Sequence, residues 1–293
     1  MIGIVGQGYV GKAIKGIFDD FYFQRKDNSN EILTYDKKLH SKSNVSSLKE
    51  LVRKSEFIFV CVPTPSNDDN SCHTGIVEDV VSQINSFSIF FKKSCIVIIK
   101  STIPPGTTKM LDEKNKNIDL IFNPEFLREA SFMEDFKNQN RIILGGKKSA
   151  VNAVEKIYNQ IFKNIKIIKT ESSTAEMVKY LINTFLATKV SFANEMKLLC
   201  DKANINYEEV IKHSLHDDRL GNSHWSVPGP DGKIGFGGSC FPKDLKALIF
   251  YSKNMGIDLD LLNAAWKANL KFRPEKDWEQ LKGRSVVNKN KKG

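Results

Sequence analysis

Apolar residues recur in short runs through the first part of the chain, at residues 1–5, 32–35, 57–62, 95–100, 118–122, 141–145 and 165–168. Most of the stretches between them alternate apolar and polar positions with a helical period. Short apolar strands separated by amphipathic helices predict a mainly parallel sheet with helices on both faces. After residue 171 the texture changes. Residues 172–203 contain no Gly or Pro and read as one long helix, and further helical stretches fall at 207–214, 244–254 and 258–272. The predicted fold is therefore α/β. A Rossmann-like doubly wound parallel sheet over 1–170 is followed by a mostly α-helical domain over 171–280, with a short basic segment at 281–293.

The first apolar run leads directly into Gly6-Gln7-Gly8-Tyr9-Val10-Gly11, and an amphipathic stretch starts at Tyr9. Strand, glycine turn and helix is the context in which G-x-G-x-x-G marks a dinucleotide site. Gly6 makes the turn, Gly8 lets a pyrophosphate approach, and Gly11 lets helix pack on strand. Tyr9 and Val10 open the helix whose N-terminus favours an anion. The second run ends at Asp36, placed to accept from ribose hydroxyls and to repel a 2′-phosphate, which favours NAD over NADP. Lys37 and Lys38 follow it and oppose that preference. Gly6 and Asp36 lie farther apart than is usual, and 21–30 reads as an inserted loop. Ligands of such sheets bind beyond the carboxyl ends of the strands. Pro63, Thr64, Ser101, Thr102 and the Asn123-Pro124-Glu125 segment fall there.

A second constellation lies in Gly235-Phe236-Gly237-Gly238-Ser239-Cys240-Phe241-Pro242-Lys243-Asp244. It presents one cysteine on a glycine-rich loop. A helix beginning near Pro242 and the ammonium of Lys243 are the positive features a thiolate needs. The alternative is a glycine turn around an inert cysteine. Lys179 and Asn183, four apart on the long helix, share a face and suit an oxygen on which negative charge develops. Read alone, they also fit an ordinary polar surface.

Composition narrows the classes. Hydrophobic residues make up 41% and charged residues 27% of the 293 positions, as in soluble globular proteins. No apolar run is long enough to span a membrane and no signal peptide precedes the first strand, so a cytoplasmic protein is expected. Cys61, Cys72, Cys95, Cys200 and Cys240 are scattered without a C-x-x-C pair, which argues against a disulfide framework and a zinc site. Cys61, Cys95 and Cys200 read as packing residues. The net charge of +10 raises the question of nucleic acid. The lysines are spread along the chain, with one concentration at Lys282, Arg284, Lys289, Lys291 and Lys292, and no aromatics are interleaved for base stacking. An anionic small-molecule substrate is the expected partner, with neither nucleic acid nor membrane.

Taken together, these motifs resemble the UDP-glucose/GDP-mannose dehydrogenase family, from Met1 to about Trp278. Those that carry the likeness are the glycine turn, Val62-Pro63-Thr64-Pro65, Lys100-Ser101-Thr102-Ile103-Pro104-Pro105-Gly106-Thr107, Asn123-Pro124-Glu125-Phe126-Leu127-Arg128-Glu129-Ala130, Lys179-Tyr180-Leu181-Ile182-Asn183, Arg219-Leu220-Gly221 and the Cys240 loop. The wording around Cys240 is closest to the branch that acts on UDP-glucose, and GDP-mannose stays open.

The resemblance implies a four-electron oxidation of a sugar alcohol to an acid with two NAD, through a thiohemiacetal and a thioester on Cys240. Within it Lys179 and Asn183 stabilise the oxyanion, and Asp244 and a water held by Thr102 manage protons. Glu129 assists hydrolysis and Glu125 supports the site. Pro63, Thr64, Ser101, Thr102 and Lys243 join the glycines and Asp36 as cofactor candidates. Arg219 and Lys243 suit diphosphate or nearby anionic groups. Phe126, Leu127, Arg128, Glu129, Lys179, Asn183, Phe236 and Gly237 are candidates for holding UDP-glucose. The long helices imply a homodimer. Most family members continue into a third domain, whose first strand would start near 281–287, so the chain is expected to be either a short form or truncated. Two further readings remain: a two-electron hydroxyacid-type dehydrogenase, which has no use for Cys240, and a non-catalytic nucleotide-sugar binder.

Overall fold

The computed structural model describes residues 1–24 and 31–288. The chain divides into two compact units. The first comprises Met1–Thr64 and Thr74–Lys179, and the second comprises Pro65–His73 and the chain from Tyr180 onward. The division falls within the long helix rather than ahead of it.

In the first unit all seven apolar runs form strands: β1 Ile2–Val5, β2 Ile32–Tyr35, β3 Phe57–Val60, β4 Ile96–Ile99, β5 Asp119–Phe122, β6 Arg141–Gly146 and β7 Lys166–Thr170. They make one sheet of order β2-β1-β3-β4-β5-β6-β7. Every pairing is parallel except β5 with β6. The helices are α1 Tyr9–Gln24, α2 Leu48–Lys54, α3 Gly75–Phe90, α4 Thr107–Lys114, α5 Phe132–Lys137 and α6 Lys148–Ile161. Because side chains alternate across a strand, each strand feeds two cores. Ile58 and Val60 of β3 join Val77, Val81, Ile84 and Leu111 on one face. Phe59 joins Ile14, Phe18, Phe136 and Val154 on the other. The strand order reverses at β1, so the crevice beyond the carboxyl ends of β1 and β3 is the expected ligand position.

One detail departs from the sequence reading. Residues 21–24, read as part of an inserted loop, are the last turn of α1. The pattern explains this, because Phe18 and Tyr22, four apart, both meet the second core. The rest of that loop, residues 25–30, lies outside the described residues, as do Lys289, Lys291 and Lys292 of the basic end.

The long helix α7 Ser172–Lys202 is followed in the second unit by α8 Tyr207–Ser214, α9 Phe241–Asn254 and α10 Asp260–Phe272. Ala187, Phe236 and Leu245 form a core with Val190, Phe241 and Trp266 around them. The 65–73 segment belongs here for two reasons. Ser66 N–H donates to Ser285 O at 2.8 Å, and Val287 N–H donates to Ser66 O at 3.0 Å. Cys72 also packs against the Tyr180, Ala247 and Leu248 cluster. Among the described residues no helix is long and apolar enough to cross a membrane.

Candidate active site

The glycine turn has the geometry its spacing predicts. Gly6 sits at φ +94°, where a side chain is strained, and a Cβ there would lie 2.6 Å from Cys61 O. A Cβ on Gly11 would lie 2.0 Å from Gly6 O, so only glycine lets α1 start this close to β1. A Cβ on Gly8 meets nothing within 4 Å, which leaves open space in front of the first turn of α1. Asp36 caps this arrangement. Its carboxylate accepts from Gln7 N–H at 2.7 Å and from the N–H groups of Lys38 and Leu39, each at 2.9 Å. Burial pushes its pKa up, but these donors and the Lys38 charge outweigh it and hold the acid below its usual range. An anion-favouring helix start, an unobstructed Gly8 and an ionised acid beside the turn fit a dinucleotide. The exposed Pro63 and buried Thr64 follow β3. Ser101 and Thr102, both buried, follow β4, and the Ser101 hydroxyl donates to Val62 O at 2.6 Å, tying the two loops together.

Beyond β5, Glu125 and Lys179 meet. Lys179 is 4% exposed, which excludes a solvated surface lysine. Its Nζ donates to Glu125 O and lies 3.2 Å from Glu125 Oε1. Glu125 Oε2 accepts from Leu127 N–H at 2.7 Å. The Phe126 ring lies 5.3 Å from the Lys179 ammonium. Arg128 is turned to solvent and paired with Asp135 at 2.6 Å, and Glu129 is exposed on the next turn. The start of α7 is fixed by Glu176, fully buried, which accepts from Gly106 N–H at 2.6 Å and from Thr108 N–H at 2.8 Å.

In the second unit Cys240 is half-buried at the cap position of α9, with Pro242 in the first turn. The helix begins at Phe241, next to the start near Pro242 that the sequence suggests and ahead of the 244–254 stretch read from periodicity, so its amide end faces the Cys240 loop. Lys243 and Asp244 form a buried ion pair. Burial alone would lower the Lys243 pKa, but Asp244, Cys240 and Cys72 outweigh it and raise it above the ordinary lysine value. Asn183 Nδ2 donates to Asp244 Oδ2 at 2.6 Å. The fold thus brings Cys240, Lys243, Asp244 and Asn183 together. Arg219 lies on the surface, paired with Asp217.

The loop leading to Cys240 is held by side chains that carry no local sequence signal. Asn194 Oδ1 accepts from Gly235 N–H at 3.0 Å. Asn269 accepts from Phe236 N–H at 2.7 Å and donates to Phe236 O at 2.9 Å. Asp277 accepts from Gly238 N–H at 3.0 Å. Arg273, 2% exposed, pairs with Asp231 and Asp277. These contacts explain the glycines. A Cβ on Gly235 would lie 2.6 Å from Asn269 Oδ1, and one on Gly237 would lie 2.4 Å from Asp277 Oδ1. Phe236 was a candidate for holding the substrate. Its ring is in the core and both its backbone groups are engaged by Asn269.

Known proteins share this architecture. The NAD binding domain of the UDP-glucose/GDP-mannose dehydrogenase family matches residues 29–165, and that family's central domain matches 173–271. UDP-glucose 6-dehydrogenase of Rickettsia bellii is 33% identical over 93% of this chain and 67% of its own length. The chain belongs to the UDP-glucose/GDP-mannose dehydrogenase family. UDP-glucose 6-dehydrogenase of Rickettsia felis is 38% identical over 76% of this chain and 49% of its own length. The chain therefore spans about half to two thirds of these relatives, by 49% and 67%. The structure of a UDP-glucose dehydrogenase from Pyrobaculum islandicum superposes with TM-score 0.79 at 26% identity, over 96% of this chain and 70% of that one. The match to the family's NAD binding domain falls largely in the first unit, and the glycine turn of that unit lies ahead of the matched residues.

Proposed function

We propose that this chain oxidises the primary alcohol of a nucleotide hexose, UDP-glucose first, to the uronic acid in two two-electron steps. The observation that carries the reading is the placement of Cys240 at the amide end of α9 with Lys243, Asp244 and Asn183 around it. A two-electron alcohol oxidation needs no nucleophile at this position.

The Gly6–Gly11 turn and Asp36 would hold NAD, which when bound would supply the acceptor for one hydride in each of the two oxidations. The hydroxyl proton of the substrate passes to Asp244, directly or through a water on Thr102. Lys179 and Asn183 each have further N–H donors beyond those engaged by Glu125 and Asp244, and these stabilise the alkoxide oxygen. Cys240 Sγ then adds to the aldehyde carbon to give a thiohemiacetal. Loss of its hydride to the acceptor and of its hydroxyl proton to Asp244, which has by then released the first proton to solvent, leaves a thioester. Water, activated with help from Glu129, releases the acid and restores the thiol. Arg219, exposed and fork-shaped, suits the diphosphate.

We further infer a homodimer. Leu181, Phe185, Phe192 and Leu199 are all exposed on α7 at 60%, 63%, 49% and 60%. Their spacing puts them on one face of the helix, and a second copy of the same helix would cover it. A cytoplasmic setting fits a reaction that needs both NAD and a reduced Cys240.

The test is the ratio of NADH formed to UDP-glucose consumed. Two per sugar with UDP-glucuronate as product, and loss of acid formation in Cys240→Ala, are expected. A Cys240→Ala variant that keeps full NADH production overturns the four-electron reading in favour of the hydroxyacid-type one. Turnover of GDP-mannose alone reassigns the sugar. Binding without NADH from either substrate makes the chain a nucleotide-sugar binder.

A further inference from the structure

Lys100, directly after β4, is 4% exposed, yet its Nζ donates to a neutral acceptor, Asn123 Oδ1, at 2.9 Å. Buried lysines ordinarily meet a carboxylate. Asn123, 1% exposed, is held from two other sides: its Oδ1 also accepts from Tyr158 OH at 2.6 Å, and its Nδ2 donates to Ile143 O at 2.8 Å. With two donors on its oxygen and a carbonyl on its nitrogen, the amide has one orientation. Two residues on stands Glu125, which takes the Lys179 ammonium on both its carbonyl and its carboxylate. The Lys100–Asn123 and Glu125–Lys179 pairs are thus two buried contacts within the first unit, joined by the short backbone segment 123–125. Together they hold two ammonium groups and one carboxylate.

We propose that Lys100 is a positioning residue for Lys179: through Asn123 it fixes the loop bearing Glu125, and its charge leaves the Glu125–Lys179 pair in a net positive surrounding. This rests on the reading of Lys179 as an oxyanion donor. Positive charge that one carboxylate does not cancel is what a developing alkoxide requires in a water-poor site. The groups facing Lys100 are Cys61 after β3, Glu125 after β5, Lys179 on α7 and, through Asn123, Tyr158 on α6. Burial is the main influence on Lys100 and lowers its pKa to about 8, with Cys61 and Glu125 opposing and Lys179 adding to the shift. The charge therefore begins to be lost within the working range of an alcohol oxidation, and kcat falls on that alkaline limb.

The experiment compares wild type and Lys100→Met by kcat against pH and by thermal unfolding against pH. Expected for Lys100→Met is a kcat about tenfold lower near neutrality, as small misplacements of a catalytic group produce, with an unchanged KM for NAD and the limb near pH 8 gone. Asn123→Asp gives Lys100 a carboxylate and moves the limb to higher pH; it serves also if Lys100→Met fails to fold. The unfolding readout is independent of activity. Because the folded pKa is depressed, the unfolded chain binds the extra proton, and wild-type stability rises relative to Lys100→Met as pH climbs from about 8 towards the ordinary 10.5. Active wild type with a superimposable pH profile in the variants overturns the inference and leaves the proposed reaction standing. Parallel unfolding curves overturn it whatever the enzymology. An inactive wild type removes the proposed reaction and, with it, the role given to Lys179.

Discussion

Asn269 pairs with both backbone groups of Phe236, accepting from its N–H at 2.7 Å and donating to its C=O at 2.9 Å. A side-chain amide on α10 acts here as a strand partner would, and the segment it steadies ends four residues later at Cys240. An isolated glycine-rich loop has high conformational entropy. The amide removes that freedom without adding backbone.

Asn269→Ala should therefore act on both stability and chemistry. Two buried backbone groups lose their partner, at about 1–3 kcal/mol each, so the urea midpoint falls by an amount equivalent to about 2–6 kcal/mol. In conditions where the variant is folded, the alkylation rate of Cys240 by iodoacetamide should change while NAD affinity does not. An unaltered alkylation rate would mean that the loop holds its shape without Asn269.

Gly8 and Gly11 should separate sharply. A Cβ on Gly11 would meet Gly6 O at 2.0 Å, so Gly11→Ala is expected to destabilise the first unit by several kcal/mol, about 3 or more, since backbone cannot yield. Gly8→Ala meets nothing in the free protein, so its melting temperature should stay near wild type while NAD affinity falls at least about tenfold. Calorimetric unfolding and NAD titration of the two variants check this contrast.

Asp36 gives a signed pH effect. Its folded pKa lies below the ordinary 3.8, so its contribution to stability is present above that value and is lost as pH falls through the folded pKa. The melting temperature of wild type should exceed that of Asp36→Asn at neutral pH, and the gap should narrow as the solution is acidified below about pH 4. The same variant should discriminate less against NADP, measurable as the ratio of kcat/KM for the two cofactors.

The apolar face of α7 predicts assembly. Phe185→Asp with Phe192→Asp should shift the mass measured by light scattering from two chains to one, while helix content by circular dichroism stays constant. A wild-type chain that elutes as a monomer at tens of micromolar would remove the dimer from the picture.

The scaffold was largely legible because its signals are local. Most strands are short apolar runs, and Ile58 and Phe59 show why such runs have no polar face: both sides of the sheet are covered there, unlike at β7, where Lys166 and Lys169 are exposed. The glycine turn, Asp36, Lys179, Asn183 and the Cys240 loop could be picked out because their spacing carries chemistry. Asn269, Arg273 and Asp277 could not, nor could the contact between Lys100 and Asn123, although both stand in motifs that the sequence singles out. Asn269 meets a residue 33 positions away and Lys100 one 23 positions away. A lone amide on an amphipathic helix, or a lysine ending a strand, looks like an exposed polar position until the partner is known. The end of α1 was misjudged for the opposite reason, since Phe21 and Tyr22 break no local rule in either a loop or a helix.

The tight passage of Gly237 between Asp277 and Arg273 ties two distant stretches of sequence to a shared fate. A methyl at 237 would need the 2.4 Å and 2.5 Å gaps to Asp277 Oδ1 and Arg273 Nη2 to open. A descendant of this chain with alanine at 237 should therefore carry a shorter residue at 277, or have released Arg273 from its pairing. Drift in the glycine loop is thereby coupled to drift in the segment that follows α10.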